Sequence, residues 1–272
     1  MSLDARLTLA RPDLARVELE GVVRAEAFAQ TEARQVVVPV APLRRAPDAA
    51  AEQDDQLLFG ELFDVLEMND GFAWGQARRD GYVGFVAEAA LGERGAVATH
   101  RVRALRTYAF ATPEIRAPAF GPLSMNALVS VEEERGAFAH VAGTGWIPRT
   151  HLATFHEFES DPVAVAERFL GAPYLWGGRD SLGIDCSGLV QQALYACGLA
   201  CPRDNDQQAA LGADVAPERL ARGDLVFWTD HVGLMADAER LLHANAHRMA
   251  VTVEPLADAI ARAGPPTSYR RL

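Results

Sequence analysis

The sequence has few cysteines, no long apolar run and no excess of positive charge. Its 272 residues contain three cysteines, all between positions 186 and 201, so a disulfide framework is not expected and a reducing compartment is favoured. Charges interrupt the first residues, Met1–Leu14, and no apolar run reaches about 18 residues, so neither an export signal nor a membrane span is expected. The formal net charge of −11 argues against nucleic-acid binding. These absences predict a cytoplasmic protein without membrane attachment.

The segment Ile184–Val190 places a cysteine where a strand-like approach turns into an amphipathic helix. Apolar residues recur at helical spacing after it, and Gly198 follows as the stop. Cys186 is therefore predicted in the first turn of a helix, where unpaired N–H groups and the helix dipole favour a thiolate. A thiolate is a strong nucleophile, which makes Cys186 a candidate for covalent catalysis.

Two histidines downstream could serve this cysteine as a base and its orienting partner. The sequence predicts strands over 225–228 and 231–235, with His231 opening the second strand, and a third strand over 240–245 that carries His243. Antiparallel neighbours would bring His243 beside His231, where it would orient the imidazole and select its tautomer. A helical cysteine followed by two polar residues on strands is typical of papain-like enzymes.

Two other interpretations of these residues remain open. A cysteine at a helix start is often a small buried hydrophobic residue, and a histidine at a strand end is often structural. The three side chains could also ligate zinc, but no Cys-x-x-Cys or His-x-x-x-His spacing supports a metal site. No metal or organic cofactor is expected.

Six segments in order resemble the NlpC-like (NlpC/p60-type) papain-fold cysteine peptidases of bacterial cell-wall peptides. They are Pro173–Gly178, Asp185–Gly188, Pro202–Gln207, Arg222–Trp228, His231–Gly233 and Leu242–Asn245. The resemblance implies an α+β papain-like domain over 156–272. It also implies that Cys186 is the nucleophile, His231 the general base and His243 the third catalytic residue.

Two upstream segments, 58–86 and 127–148, look like imperfect copies of each other. Each has three short alternating strands separated by turn residues. The pattern resembles tandem bacterial SH3-like barrels, so the expected organisation is a helical or irregular arm over 1–35, barrels over 36–98 and 99–155, and then the peptidase domain. The first buried strand is expected at Val36–Val40.

Two SH3-like barrels before such a domain resemble γ-D-glutamyl-L-diamino acid endopeptidases, thiol proteases that trim free murein peptides with an amino-terminal L-alanine during cell-wall recycling. The resemblance implies that Glu61 and Tyr82 bind the alanine ammonium group, although a solvated strand residue and a barrel aromatic would look the same. The other implied substrate-binding residues are Tyr174, beside the oxyanion, and Trp176, Asp185, Ser187, Arg203, Asp204 and Asn205.

The expected substrate is an L-Ala-γ-D-Glu-diaminopimelate peptide, with no nucleic-acid or membrane partner. Two alternatives stay open. One is a hydrolase of intact peptidoglycan that uses the barrels to bind the wall. The other is a peptide-binding protein whose peptidase domain is inactive.

Overall fold

The computed structural model describes residues 3–272, which form two compact units. The first unit ends at Thr154, and the second comprises Phe155–Leu272. Strands outnumber helices in both units. Within residues 3–272, no helix combines the length and the apolar character that crossing a bilayer requires.

Over residues 3–154, the first unit contains seventeen strands and three short 3₁₀ helices, at Val17–Leu19, Glu88–Ala90 and Arg149–His151. The strands are β1 Leu14–Arg16, β2 Ala27–Ala29, β3 Glu32–Val36, β4 Val40–Arg44, β5 Gln53–Leu58, β6 Leu62–Asn69, β7 Phe72–Ala77, β8 Val83–Ala87, β9 Leu91–Glu93, β10 His100–Val102, β11 Arg106–Phe110, β12 Ala119–Ser124, β13 Leu128–Val129, β14 Val131–Arg135, β15 Phe138–Val141, β16 Gly145–Pro148 and β17 Leu152–Thr154.

A seven-stranded sheet with the order β5-β4-β8-β7-β6-β3-β9 forms the first half of this unit. Strands β6 and β7 form a hairpin whose two-residue loop, Asp70-Gly71, has positive φ at both positions. Positive φ at both positions suits the right-handed twist of the flanking strands, and Asp-Gly adopts it readily. The buried faces enclose a core that includes Leu43, Phe63 and Val86.

The expected strand at 36–40 is wrong, because the chain turns there. Val36 ends β3 and Val40 begins β4, while Val37 between them is 43% exposed. Within residues 3–35 the chain is also not helical beyond one 3₁₀ turn, since β1 and β2 pair in parallel and β3 pairs with β6 and β9. These pairings join residues distant in sequence, which local composition does not reveal.

The second half of the first unit contains a five-stranded sheet, β12-β11-β16-β15-β14, and a three-stranded sheet, β13-β10-β17. The strands β14, β15 and β16 are antiparallel neighbours, as β6, β7 and β8 are in the seven-stranded sheet. Both similar segments of the sequence therefore fold into three consecutive paired strands. Their buried residues include Leu123, Val141 and Ile147.

The second unit combines four α-helices with eight strands and one 3₁₀ helix, Pro217–Arg219. The helices are α1 Pro162–Glu167, α2 Cys186–Ala196, α3 Asn205–Gln208 and α4 Leu256–Ala263. The strands are β18 Arg179–Asp180, β19 Gly183–Ile184, β20 Ala213–Asp214, β21 Leu225–Trp228, β22 His231–Met235, β23 Arg240–Asn245, β24 Ala250–Pro255 and β25 Ser268–Arg271.

An antiparallel sheet with the order β20-β25-β21-β22-β23-β24 supports the helix α2, which packs against β22 and β23. The predicted strands at 225–228, 231–235 and 240–245 and the predicted helix start at Cys186 are confirmed. The sequence predicts an amphipathic helix, but α2 has no exposed face, because all eleven of its residues are buried. Two of its polar side chains, Gln191 and Tyr195, donate hydrogen bonds to the carbonyl of Cys201, at 3.3 and 3.0 Å. This sheet and helix hold the candidate catalytic side chains.

Candidate active site

The nucleophile candidate, Cys186, is the first residue of α2, and Asp185 caps that helix. The Asp185 carboxylate accepts a hydrogen bond from the N–H of Gly188 at 2.7 Å, as an N-cap residue does for an unpaired helical donor. A Cβ at position 188 would overlap with the carbonyl oxygen of Gly178. The glycine that follows Cys-Ser therefore lets the preceding loop lie against the start of the helix.

A buried ion pair between Asp185 and Arg203 supports this helix start. Arg203 donates to both carboxylate oxygens, at 2.6 and 3.1 Å, and to the hydroxyl of Ser187 at 2.7 Å. The carboxylate oxygen that lies 2.6 Å from Arg203 also accepts a hydrogen bond from the N–H of Gly177 at 2.8 Å. All three side chains are less than a tenth exposed. Their contacts hold the loop and the nucleophile in place, and the substrate-binding role predicted for them remains a prediction.

The thiol of Cys186 is neutral in the resting enzyme, contrary to the expected thiolate. Burial, together with the neighbouring Asp185 carboxylate, raises its pKa to about 12. The N–H of Val232 and the Arg203 guanidinium act in the opposite direction without prevailing. A helix start favours the anion only modestly, whereas loss of water around a buried charge costs more. A base must therefore remove the thiol proton during the reaction.

The side chains of His231 and His243 are in direct contact, as the predicted strand arrangement requires. Nε2 of His231 lies 2.7 Å from Nδ1 of His243, and the ring planes meet at 65°. Gly233 lies on β22 with His231, facing β23, and a Cβ there would come within 3.0 Å of the Cβ of His243. The glycine of His-Val-Gly thus gives the second imidazole its space.

With Nε2 of His231 engaged by His243, Nδ1 is the other nitrogen of this ring. The sulfur of Cys186 accepts a hydrogen bond from the N–H of Val232, the peptide unit directly after His231. The sulfur of Cys186 therefore lies near the end of β22 that carries His231. Burial lowers the pKa of His231 to about 3 and that of His243 to about 4, so both imidazoles are neutral near pH 7. A neutral imidazole is the form that can accept a proton.

Tyr174 and Trp176 lie on the loop that precedes β18. Burial and the proximity of Cys186 and Asp185 raise the pKa of Tyr174, so its phenol stays protonated and can donate a hydrogen bond. A donor near the nucleophile is what an oxyanion requires. Trp176 is 56% exposed and offers an apolar surface. Their substrate contacts remain predictions.

Asp204 and Asn205 have structural contacts in the short helix α3. Asp204 forms a capping box with Gln207, which satisfies unpaired N–H groups at the helix start. The side-chain amide of Asn205 donates to the carbonyls of Trp228 and Thr229 at 3.3 and 3.1 Å, which ties α3 to the end of β21. The substrate contacts predicted for both residues remain predictions.

Glu61 and Tyr82 are both buried in the first unit, at 1% and 6% exposed. One carboxylate oxygen of Glu61 pairs with Arg79 at 2.7 Å, and the other accepts the N–H of Leu58 at 3.1 Å. Arg79 also donates to the carbonyl of Asn126 at 2.8 Å. Glu61 is thus already neutralised by a guanidinium, and its predicted role as an ammonium ligand remains a prediction.

Sequence reasoning missed one side chain of this site, Glu254 on β24. Its carboxylate lies 3.0 Å from Nε2 of His243. Glu254 belongs to none of the sequence motifs. Its place beside His243 follows from the register in which β24 pairs with β23. That register depends on tertiary structure.

A helical cysteine beside two paired histidines on an antiparallel sheet defines the arrangement of a cysteine peptidase. Comparison with known families agrees: residues 171–263 match the NlpC/P60 family and residues 43–91 match the bacterial dipeptidyl-peptidase SH3 domain. The chain therefore carries a domain of the NlpC/P60 cysteine peptidase family, preceded by an SH3 domain. The resemblance predicted from the motifs and the assignment to this class of hydrolases are confirmed.

Each of the curated relatives matches less than half of this chain. A gamma-DL-glutamyl hydrolase of Bacillus subtilis is 40% identical over 92 residues, which are 30% of this chain and 22% of that protein. A gamma-D-glutamyl-L-lysine dipeptidyl-peptidase of Bacillus subtilis is 33% identical over 108 residues, which are 37% of this chain and 36% of that protein. The matches thus span well under half of these relatives.

One solved structure resembles most of the chain. An NlpC/P60 family protein from Bacillus cereus superimposes with a TM-score of 0.78, covering 88% of this chain and 99% of that one at 19% identity. At this identity the likeness concerns the fold alone. It extends through both units and is not confined to the matched peptidase domain.

Proposed function

We propose that this chain is a cysteine endopeptidase that hydrolyses the γ-D-glutamyl to diamino-acid bond of murein peptides. The observation that carries the proposal is the placement of Cys186 at the start of α2, at the end of β22 where His231 and His243 are paired. The choice of bond is supported by the relatives, which include a gamma-D-glutamyl-L-lysine dipeptidyl-peptidase. A papain-like domain preceded by two SH3-like barrels, over 36–98 and 99–155, is the architecture we assign to it.

The reaction begins with transfer of the thiol proton from Cys186 to Nδ1 of His231. The sulfur attacks the γ-carbonyl carbon, and the N–H of Cys186 with the phenol of Tyr174 stabilises the oxyanion. The imidazolium of His231 then protonates the leaving amine, so the amide bond breaks and a thioester remains. Water, deprotonated by His231, cleaves the thioester and restores the thiol.

We further propose that the substrate is a free peptide with an amino-terminal L-alanine, degraded in the cytoplasm during cell-wall recycling. The match of residues 43–91 to an SH3 domain of bacterial dipeptidyl-peptidases supports this choice, because removal of a dipeptide requires a readable amino terminus. The three free cysteines suit a reducing compartment. Glu61 and Tyr82 stay the candidate ligands for the ammonium group.

The test is mass spectrometry of the products from L-Ala-γ-D-Glu-diaminopimelate, supplied with a free or an acetylated amino terminus. We expect the free tripeptide to give L-Ala-γ-D-Glu and diaminopimelate, and the Cys186→Ala variant to give neither. Cys197→Ala is the matched control, since it makes the same change just beyond the other end of α2, and it should retain activity. Full activity of Cys186→Ala would refute the nucleophile.

The two alternatives correspond to other outcomes of the same experiment. Equal cleavage of free and acetylated tripeptides would refute the requirement for a free amino terminus while leaving the peptidase intact. Release of peptides from insoluble sacculi without cleavage of the tripeptide would favour a hydrolase of intact wall. No cleavage of either substrate would favour a peptide-binding protein.

A further inference from the structure

A chain of polar side chains continues beyond His243, away from the nucleophile. Nε2 of His243 lies 3.0 Å from a carboxylate oxygen of Glu254. His243 on β23 is paired with Thr252 on β24, so Glu254, two residues further along, is its diagonal neighbour on the same face of the sheet. Glu254 is in turn ion-paired with Arg262 of α4. Four elements thus contribute one residue each to a line that begins at His231.

The two neighbours of Nε2 of His243 favour opposite positions for its proton. The carboxylate of Glu254 only accepts hydrogen bonds, and would require the proton on Nε2. The amide nitrogen of Asn245 lies 3.0 Å from the same Nε2 and only donates, which would require an unprotonated Nε2. The amide orientation of Asn245 is set by its other bonds, to the hydroxyl of Thr252 at 2.8 Å and from the N–H of Arg248 at 2.7 Å.

Charge decides between these two neighbours. Arg262 lowers the pKa of Glu254, so the carboxylate is ionised near neutral pH. A hydrogen bond to an ionised acceptor is about twice as strong as one between neutral groups. The imidazole of His243 is 1% exposed, and water therefore does not weaken this preference. The proton of His243 is expected on Nε2, facing Glu254.

The position of that proton determines the tautomer of the next histidine. With Nε2 protonated, the neutral His243 presents an unprotonated Nδ1, which accepts the 2.7 Å hydrogen bond from Nε2 of His231. His231 then carries its proton on Nε2, and its Nδ1 holds the lone pair that takes the thiol proton. In the opposite arrangement Nδ1 of His231 is protonated, and it cannot act as the base.

We propose that Glu254 is a positioning residue that sets the tautomers of His243 and, through it, of His231. The inference deepens the proposed function, because it explains how the base of that reaction is held ready. When the thiol proton moves to Nδ1 of His231, the new positive charge lies on a ring that donates to His243. His243 in turn donates to an ionised carboxylate.

The charged and titratable groups around the pair are few among residues 3–272. Those acting on His243 are Glu254 and Arg262, and those acting on His231 are His243, Arg262 and Glu254. Both imidazoles have pKa values far below 6.5, chiefly because they are buried. The feature that Glu254 controls at pH 7 is accordingly the position of one proton on each neutral ring.

The direct test is ¹⁵N NMR of the full-length protein labelled at histidine, with signals assigned by His231→Gln and His243→Gln. In the wild type both rings should show a pyrrole-type shift at Nε2 and a pyridine-type shift at Nδ1. Glu254→Leu leaves Asn245 as the polar neighbour of Nε2, so both rings should exchange these shifts. Glu254→Gln keeps an acceptor oxygen without the charge and should give a mixture.

A second experiment measures the reactivity of Cys186, first by the rate of peptide hydrolysis and then by the rate of alkylation without a substrate. Glu254→Leu should lower kcat by about 10- to 100-fold, by analogy with the range found for the carboxylate partners of metal-ligating histidines, with little change in KM. Alkylation of Cys186 by iodoacetamide at pH 7, located by peptide mass spectrometry, should slow by a similar factor. Asp258→Asn is the matched control, since it removes an exposed carboxylate near the same Arg262, and it should change neither rate.

A pyridine-type shift at Nε2 of His243 in the wild type would overturn the proposal, and so would unchanged shifts in Glu254→Leu. The wild-type spectrum decides the question even where a variant fails to fold. The shifts and the alkylation rate are independent of the peptide substrate. Failure to cleave any γ-D-glutamyl peptide would therefore refute the proposed function and leave this inference standing.

Discussion

Replacing Arg203 by methionine would break the buried ion pair that supports the nucleophile. Methionine has a similar length, so the change removes the charge and the hydrogen bonds to both oxygens of Asp185, to the hydroxyl of Ser187 and to the carbonyl of Gly178. The Asp185 carboxylate would remain buried, at 6% exposed, with the N–H groups of Gly177 and Gly188 and the hydroxyl of Ser187 as donors but no charged partner. An unpaired buried charge costs about 3–5 kcal/mol. Because the N–H groups of Gly177 and Gly188 still bind the carboxylate, we expect a loss near 3 kcal/mol.

The assay is urea-dependent hydrogen exchange of the full-length protein, read by mass spectrometry on the peptide that contains α2. A loss of about 3 kcal/mol corresponds to a rise of roughly 100-fold in the opening constant of this helix. Arg222→Met is the matched control, because Arg222 also bridges two carboxylates, those of Asp161 and Glu167, but is 40% exposed. Exposed pairs contribute about 0–1 kcal/mol. Similar opening constants for the two variants would refute the reasoning.

Two further predictions concern the same unit. Gly188→Ala should destabilise α2 by about 1–3 kcal/mol, because the new Cβ overlaps with the carbonyl oxygen of Gly178; a more stable variant in the same exchange assay would contradict this. The free energy of unfolding should fall as the pH drops from 6.5 towards 4, because the unfolded chain binds protons there that the buried His231 and His243 do not. Each histidine contributes about 1.4 kcal/mol per pH unit in that window. Urea unfolding of His243→Asn should show a shallower slope, and His156→Asn, which changes an exposed histidine, the wild-type slope.

Several elements of the second unit could be predicted from the sequence because their signals are local. The helix begins at Cys186 and turns at Gly198, where φ is +77°, as the apolar spacing and the glycine indicate. The strands that carry His231 and His243 follow from short apolar runs and a tight turn. Once two consecutive strands are antiparallel neighbours, the proximity of the two histidines follows. Hence the order of motifs was sufficient to identify the peptidase domain.

Other features depended on contacts between distant parts of the chain. The predicted thiolate of Cys186 is wrong because burial and Asp185 outweigh the helix start. The predicted strand at 36–40 is wrong because β3 and β4 pair with different partners on either side of an exposed Val37. Neither a local charge pattern nor a local propensity contains this information.

The amino-acid sequence by itself determined where the candidate nucleophile, base and third residue lie along the chain, because helix caps, strand lengths and turns depend on neighbouring residues. The tertiary structure alone decided the protonation of the thiol, the internal bonding of Arg203 and the contact of Glu254 with His243. The physical reason is that burial and strand register set the strength of a charge or a hydrogen bond. Burial and strand register arise only when segments far apart in sequence pack together.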